Sequence, residues 1–342
     1  MFEIGKIPSK VLDELVMRTV RGGRTKRDDI VLRPEIGEDC SAIDVGGELC
    51  VFSTDPITGA AQNIGYLAVQ INCNDIFSSG AEPVGILLTI LLPPGSEQED
   101  LQEIMAGAVR AADELDIEIL GGHTEVTAAV CQPLISATVF GKSHGKTILR
   151  TGAAQAGQDV VMTKWAGLEG TAILAKDYEA LLLQVMPQKP LTEAQEMSRF
   201  LSVGEESRVA LAHGASAMHD ATEGGVLGAI WEMAACSGRG VTVFADDIPI
   251  REETKTICEI GRIDPLRLIS SGVMVIATYD GEGLVKALEA SGIHGAVVGK
   301  ITENSDRIYM REEKRFLLEE PGSDALYQVD FSAVEKMRKK EK

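Results

Sequence analysis

The stretch NIGYLAVQINCNDIFSSGAEPVGILLTILL, residues 63–92, decides the fold. Residues 63–79 carry apolar side chains at helical spacing, and residues 84–92 form a continuous apolar run of the kind that makes a buried strand. Within the helical part, Asn72, Asp75 and Ser79 fall at i, i+3 and i+7, so they share one face. A polar stripe among Ile71, Ile76 and Phe77 needs a partner. Two partners are open at this point: a structural hydrogen-bond network, or a metal–phosphate cluster that satisfies a buried carboxylate equally well.

Outward from this unit the pattern continues as strands and helices. Residues 31–44 and 49–54 read as strands joined at Gly46-Gly47, a hairpin signal. The acid-rich segment 97–115 reads as an amphipathic helix with one solvated face, followed by short apolar segments at 117–120 and 134–140. The segment 142–158, rich in Gly, Thr and Ala, marks a domain boundary. Beyond it the order restarts. Strands are expected at 159–163, 216–218, 241–244, 273–278 and 296–301, helices around 170–178 and at 193–213, 223–236 and 281–290, and a hairpin near 307–318. The expected organisation is an α/β (α+β) protein of two domains, 1–148 and 149–328, with a charged tail at 329–342.

Composition narrows the function. The 342 residues carry a formal net charge of −19, and such a surface repels the phosphate backbone and anionic headgroups, so neither nucleic acid nor membrane is an expected partner. An anionic substrate such as a nucleotide would instead be neutralised by divalent metal held on carboxylates. Aromatics make up only 4% while Gly numbers 35, which implies an aliphatic core with many turns. The six cysteines lack metal-site spacing and read as reduced thiols; with no leader-like start and no apolar run near the roughly 20 residues that span a bilayer, a cytoplasmic protein is expected. Gly141-Lys142-Ser143 and Gly145-Lys146-Thr147 mimic the end of a P-loop, but the required earlier glycine is Ser136 or Phe140 instead.

The informative feature is a series of acids beside glycines or strand ends: Asp39 in IGEDCSAID, Asp55 in STDPITG, Asp75 in NCNDIFSSGAEP and Asp220 in MHDATEGG. Carboxylates fixed at turns suit hard cations and leave room for phosphate ligands. Taken singly, each is also an ordinary helix cap or Asx-turn residue. ILGGHTEVT at 119–127 reads as a glycine turn after a short strand, presenting His123, Thr124 and Glu125. In 218–234 the glycines Gly224-Gly225 lie in the first turn of a helix, whose backbone N–H groups favour phosphate, or which is simply capped.

In this order and spacing, GEDCSAID, STDP, NDIFSSGAEPVG, GGHTEV, TGAAQAGQDVVMTKWAGLEGTAIL and MHDATEGG resemble the aminoimidazole ribonucleotide (AIR) synthase superfamily over about residues 30–310. Segment by segment the chain is most similar to its hydrogenase maturation factor (HypE-like) branch. The resemblance implies two α/β domains, with N-terminal domains that pair into a homodimer, and ATP whose phosphates are bridged by Mg²⁺ to aspartates. Carried over by motif, the metal ligands would be Asp39, Asp55, Asp75 and Asp220, with His123 and Thr124 near the nucleotide. The shared chemistry is phosphorylation of an oxygen by the γ-phosphate, on a small molecule or on a peptide of a maturation partner protein. A thiamine monophosphate kinase-like enzyme and a non-catalytic nucleotide-binding scaffold are the rival readings. Two positions depart from the branch: Glu125 stands where it carries Lys, and Ser271 where it carries Glu. The branch also ends in a cysteine motif, whereas the last cysteine here is Cys258.

Overall fold

The structure is a computed structural model that describes residues 2, 5–58, 63–143, 145, 147–332 and 334. Contacts divide it into two compact units, Thr25–Pro34 with Glu38–Ile148, and Met1–Arg24 with Glu35–Gly37 and Leu149–Lys342. In the second of these, the chain begins with the short helices α1 (Ser9–Leu12) and α2 (Arg18–Arg21), joined by a π-helical turn.

The first unit is a six-stranded sheet in the order β1-β2-β3-β6-β4-β5. Its strands are β1 (Ile30–Leu32), β2 (Ser41–Val45), β3 (Glu48–Ile57), β4 (Glu82–Leu92), β5 (Glu118–Val126) and β6 (Leu134–Lys142). The Gly46-Gly47 hairpin forms between β2 and β3, while the expected strand 31–44 is split by a loop, because Arg33 turns its guanidinium back onto the carbonyls of Ile30 and Arg27. Helix α3 (Ile64–Ser78) is buried along almost its whole length, and α4 (Gln98–Glu114) packs on it through Ile104, Gly107, Ala108, Ala111 and Ala112. A helix buried on nearly all sides belongs between two layers, and α3 lies between the sheet and α4. The approach is close: a Cβ at Gly65 would sit 2.0 Å from the Ile104 carbonyl oxygen.

The GGHTEV segment is a strand, not a turn. It forms the outer part of β5, paired in parallel with β4 from Leu87↔Gly121 to Leu92↔Val126. Gly121 and Gly122 have φ of +144° and +145°, and a Cβ on Gly122 would lie 1.8 Å from the Leu88 carbonyl oxygen, so glycine lets the two strands join after the bulge. The first P-loop mimic closes β6 at Gly141-Lys142, where its backbone is committed to the ladder; Lys146 of the second lies outside the described residues.

The second unit is a seven-stranded sheet, β13-β12-β9-β11-β7-β10-β8. Its strands are β7 (Asp159–Thr163), β8 (Ala217–Asp220), β9 (Gly240–Phe244), β10 (Met274–Thr278), β11 (Gly295–Thr302), β12 (Arg307–Arg311) and β13 (Lys314–Leu317). The strand–helix alternation is realised with mostly antiparallel neighbours; only β9 and β12 pair in parallel. The helices are α5 (Leu168–Asp177), α6 (Glu179–Leu182), α7 (Gln188–Gln195), α8 (Gly204–Ala212), α9 (Gly225–Cys236), α10 (Glu252–Gly261) and α11 (Gly281–Ala290). The single helix expected at 193–213 is broken: a 3-10 turn at Glu196–Phe200 and an irregular stretch precede α8, where the Phe200 and Ser202 carbonyls serve the buried Lys164. At the other end Phe331, inside the expected charged tail, is buried with Leu174, Leu191 and Ile257 and packs edge-on to Tyr178; residues 335–342 lie outside the described set.

The α3–α4 contact gives a stability prediction. Gly65→Val places a branched side chain against helix backbone that cannot yield, so urea denaturation should show a loss of about 3 kcal/mol or more. An unchanged midpoint would mean that α4 does not rest on α3 at Gly65.

Candidate functional site

In the first unit the polar stripe on α3 meets β3. Asp75, only 3% exposed, accepts a short hydrogen bond from the Ser53 hydroxyl. Asn72 Oδ1 accepts the backbone N–H of Asp55 at 2.9 Å, and its Nδ2 donates to the Ala68 carbonyl. The Cys40 thiol donates to the Asp75 carbonyl oxygen at 3.2 Å. Ser79 instead turns back to the Ile76 carbonyl at the helix end. A hydrogen-bond network therefore joins Asp75 and Asp55 to one corner of the unit, with the Asp55 side chain exposed and Asp39 exposed in the loop before β2. The buried Cys73 thiol is pushed upward, first by burial and then by the negative charge of Asp75.

His123 and Thr124 lie on β5, opposite Thr89 and Ile90 of β4. His123 Nε2 is 3.2 Å from Glu125 Oε2 on the same face, both exposed. Two strands separate β5 from β3, so within one chain His123 is three strand spacings, about 14 Å, from the Asp55 strand.

In the second unit Asp220 ends β8, is 1% exposed, and pairs with Met274 of β10. Beside it, His219 Nε2 lies 3.1 Å from Glu232 Oε2 on α9, and Lys6 reaches the same carboxylate at 3.6 Å. The start of α9 depends on glycine: Gly225 has φ +65°, and a Cβ there would lie 2.6 Å from the Leu266 carbonyl oxygen. The Gly224 N–H before it donates to Asp324 Oδ2 at 2.7 Å, so this end of α9 is capped by an acid 100 residues away. Asp324 Oδ1 also accepts from Ile269 and Leu326 N–H. Burial raises its carboxyl while these three bonds pull the other way.

Two further groups escaped the sequence reading. Glu169, in the first turn of α5, is 3% exposed, with its carboxyl beside the buried Ser271 hydroxyl. Burial lifts its carboxyl to about 7, with the Ser271 hydroxyl opposing the rise and Asp324 and Glu223 adding to it. Ser271, in the turn before β10, is thus next to a buried acid supplied by α5. Lys164, at the end of β7, is the second group, with its ammonium buried against Glu206. The only sequence signal for either was a charged residue inside an apolar run. Cys258 is buried, and burial with the nearby Asp264 charge pushes its thiol to about 12.

With this geometry in place, the comparisons are specific. The family model described as "AIR synthase related protein, N-terminal domain" matches residues 37–143, and the corresponding C-terminal domain matches 155–311. The chain belongs to the AIR synthase related family. Among relatives of this AIR synthase related protein, a putative hydrogenase expression/formation protein of Methanocaldococcus jannaschii is 29% identical over 87% of this chain and 89% of its own. The carbamoyl dehydratase HypE of Rhizobium leguminosarum is 28% identical over 79% and 78%. A HypE crystal structure in complex with ATP superposes with a TM-score of 0.70 at 20% identity, over 95% of this chain and 98% of that one; this shows the shared two-domain fold.

Glu169 generates a pH prediction for this AIR synthase related protein. Its folded pKa, about 7, lies above the ordinary 4.5, so the folded state holds the proton more tightly. The associated stability is full below about pH 4.5, is lost as pH rises toward 7, and costs about 3 kcal/mol above that. Glu169→Gln should therefore match the parent near pH 5 and exceed it at pH 8 in urea denaturation; equal stability at pH 8 would show that Glu169 ionises freely.

Proposed function

We propose that this protein binds Mg²⁺-ATP and transfers the γ-phosphate to an oxygen, of amide or carbonyl type, on a small molecule or a peptide of a maturation partner protein. The single observation that carries this reading is Asp75, a carboxylate buried on an apolar helix and tied through Ser53, Asn72 and Asp55 to the end of β3. A buried acid of this kind is costly unless it holds a specific partner. The relatives named carbamoyl dehydratase and the ATP-bound HypE structure support the same chemistry.

The residues fit the metal. Asp39, Asp55 and Asp75 of the first unit and Asp220 of the second offer carboxylate oxygens, the hard donors that magnesium takes. Magnesium would neutralise charge on the phosphates and favour in-line transfer. The chain's own residues do the remainder: Ser53 holds the Asp75 carboxylate, Asn72 fixes the backbone at Asp55, and the β8–β10 ladder fixes Asp220. His123 and Thr124 are the proposed nucleotide neighbours. Because they sit on the edge strand β5, with Leu120 53% and Val126 61% exposed, we assign this edge to a homodimer contact. The phosphate acceptor is then an oxygen whose later loss as phosphate drives dehydration or ring closure.

Calorimetric titration of ATP with and without Mg²⁺, followed by phosphate release, tests the proposal. Asp75→Asn should weaken metal-dependent ATP binding by about a hundredfold, the scale of losing one anionic ligand oxygen, while the circular dichroism stays native. Wild-type affinity in that variant would sink the assignment, and tight binding without turnover would favour the scaffold reading. Sedimentation should give a dimer that Leu120→Lys with Val126→Lys dissociates; a dimer that survives would move the contact elsewhere.

A further inference from the structure

Lys164 has an arrangement that an ordinary ion pair does not require. It ends β7 with a left-handed backbone, φ +54°, a conformation that costs a non-glycine residue energy and persists only where surroundings impose it. Its Nζ lies 2.8 Å from the Phe200 carbonyl oxygen, 2.6 Å from that of Ser202, 2.8 Å from that of Gly272 and 2.5 Å from Glu206 Oε1. Four oxygens surround a group with three N–H bonds. Three carbonyls and one carboxylate converging on one positive charge form the donor set by which protein backbone replaces the hydration shell of a monovalent cation.

The carbonyls come from two segments that the ammonium joins. The break between α7 and α8 frees those of Phe200 and Ser202, and Gly272 brings the second segment against the first. With φ +96°, Gly272 would place a Cβ 2.7 Å from the Phe200 carbonyl oxygen. From Gly272 the chain runs directly into β10. Met274 N–H donates to Thr163 Oγ1 at 3.0 Å, the Val273 carbonyl accepts from Ala221 N–H at 2.8 Å, and Met274 pairs with Asp220. Thr163 and Lys164 therefore clamp the segment against which Asp220 is registered.

We infer that Lys164 is a tethered cation filling a monovalent-cation cage, and that through Gly272 and Met274 it acts as a positioning residue for Asp220. This rests on the proposed role of Asp220 in holding magnesium on ATP. Lys164→Ala vacates the cage, whereas Lys164→Met removes the charge and keeps the space filled. The two variants and the parent protein are compared in potassium, ammonium and choline chloride at equal ionic strength, by thermal midpoint and by Mg²⁺-ATP calorimetry.

In choline the alanine variant should lose several degrees of thermal midpoint and about tenfold in Mg²⁺-ATP affinity, the scale of a misplaced site residue. Potassium or ammonium should restore both. The methionine variant should be impaired in every salt, and the parent indifferent to the choice. An alanine variant unaffected in choline, or equally impaired or unfolded in all three salts, overturns the cage; a methionine variant with parental affinity overturns the positioning role. Asp220→Asn in the parent separates the underlying reading. If it leaves Mg²⁺-ATP affinity unchanged, the magnesium assignment fails, while the salt response of the alanine variant's midpoint still decides the cage.

Discussion

Helix α3 is buried along almost its whole length although it carries Asn72 and Asp75, and this constraint organises the first unit. Such a helix cannot leave a polar group facing lipid-like surroundings without loss, so Asn72 and Asp75 must be answered from the sheet. Ser53 and the backbone of Asp55 answer them, which ties the register of α3 to that of β3. Gly65 and Gly107 allow α4 to approach closely enough to close the other side. Both helices then occupy one face of the sheet. Phe52, Phe140, Leu87 and Leu91 remain half-buried on the other, and β5 is left at the edge. The same constraint that buries Asp75 thus leaves half-buried apolar residues on the other sheet face and β5 as an edge strand.

The second unit depends on polar groups held deep in the structure rather than on one apolar helix. Asp324 caps the start of α9 and anchors Ile269, Glu169 sits against Ser271, and Lys164 binds Gly272. All three act on the connection from Leu268 to Val273, which leads into the fully buried strand β10. Buried ionic groups are weak sources of net stability but are costly to leave unpaired, and they select one arrangement among several of similar apolar content. Here the arrangement selected is the one that registers β10 with β8 and so places Asp220.

The chemistry follows from charge. A chain with net charge −19 has few cations to spend on a triphosphate, and the buried Lys164 is committed to carbonyls and Glu206. Under the proposed function, metal held by aspartates is the physical alternative for neutralising a triphosphate; Asp75 and Asp220 are each buried. Glu125 beside His123 adds negative charge on β5.

The sequence by itself determined the family, through six motifs in order. It also determined the Gly46-Gly47 hairpin, the helix at 281–290, and Asp75 as a polar residue on an apolar helix that needed a partner. These are local properties, set by periodicity and by residue types a few positions apart. The tertiary structure alone decided that GGHTEV is a paired strand, that the helix expected at 193–213 breaks, that α9 is capped by Asp324, and that Ser53 and Asp55 answer α3. In each case the deciding partner is distant in the chain. Lys164 binds carbonyls 36, 38 and 108 residues away. A buried donor or acceptor is satisfied by whatever the fold brings within about 3 Å of it, and no local pattern records which residue that will be.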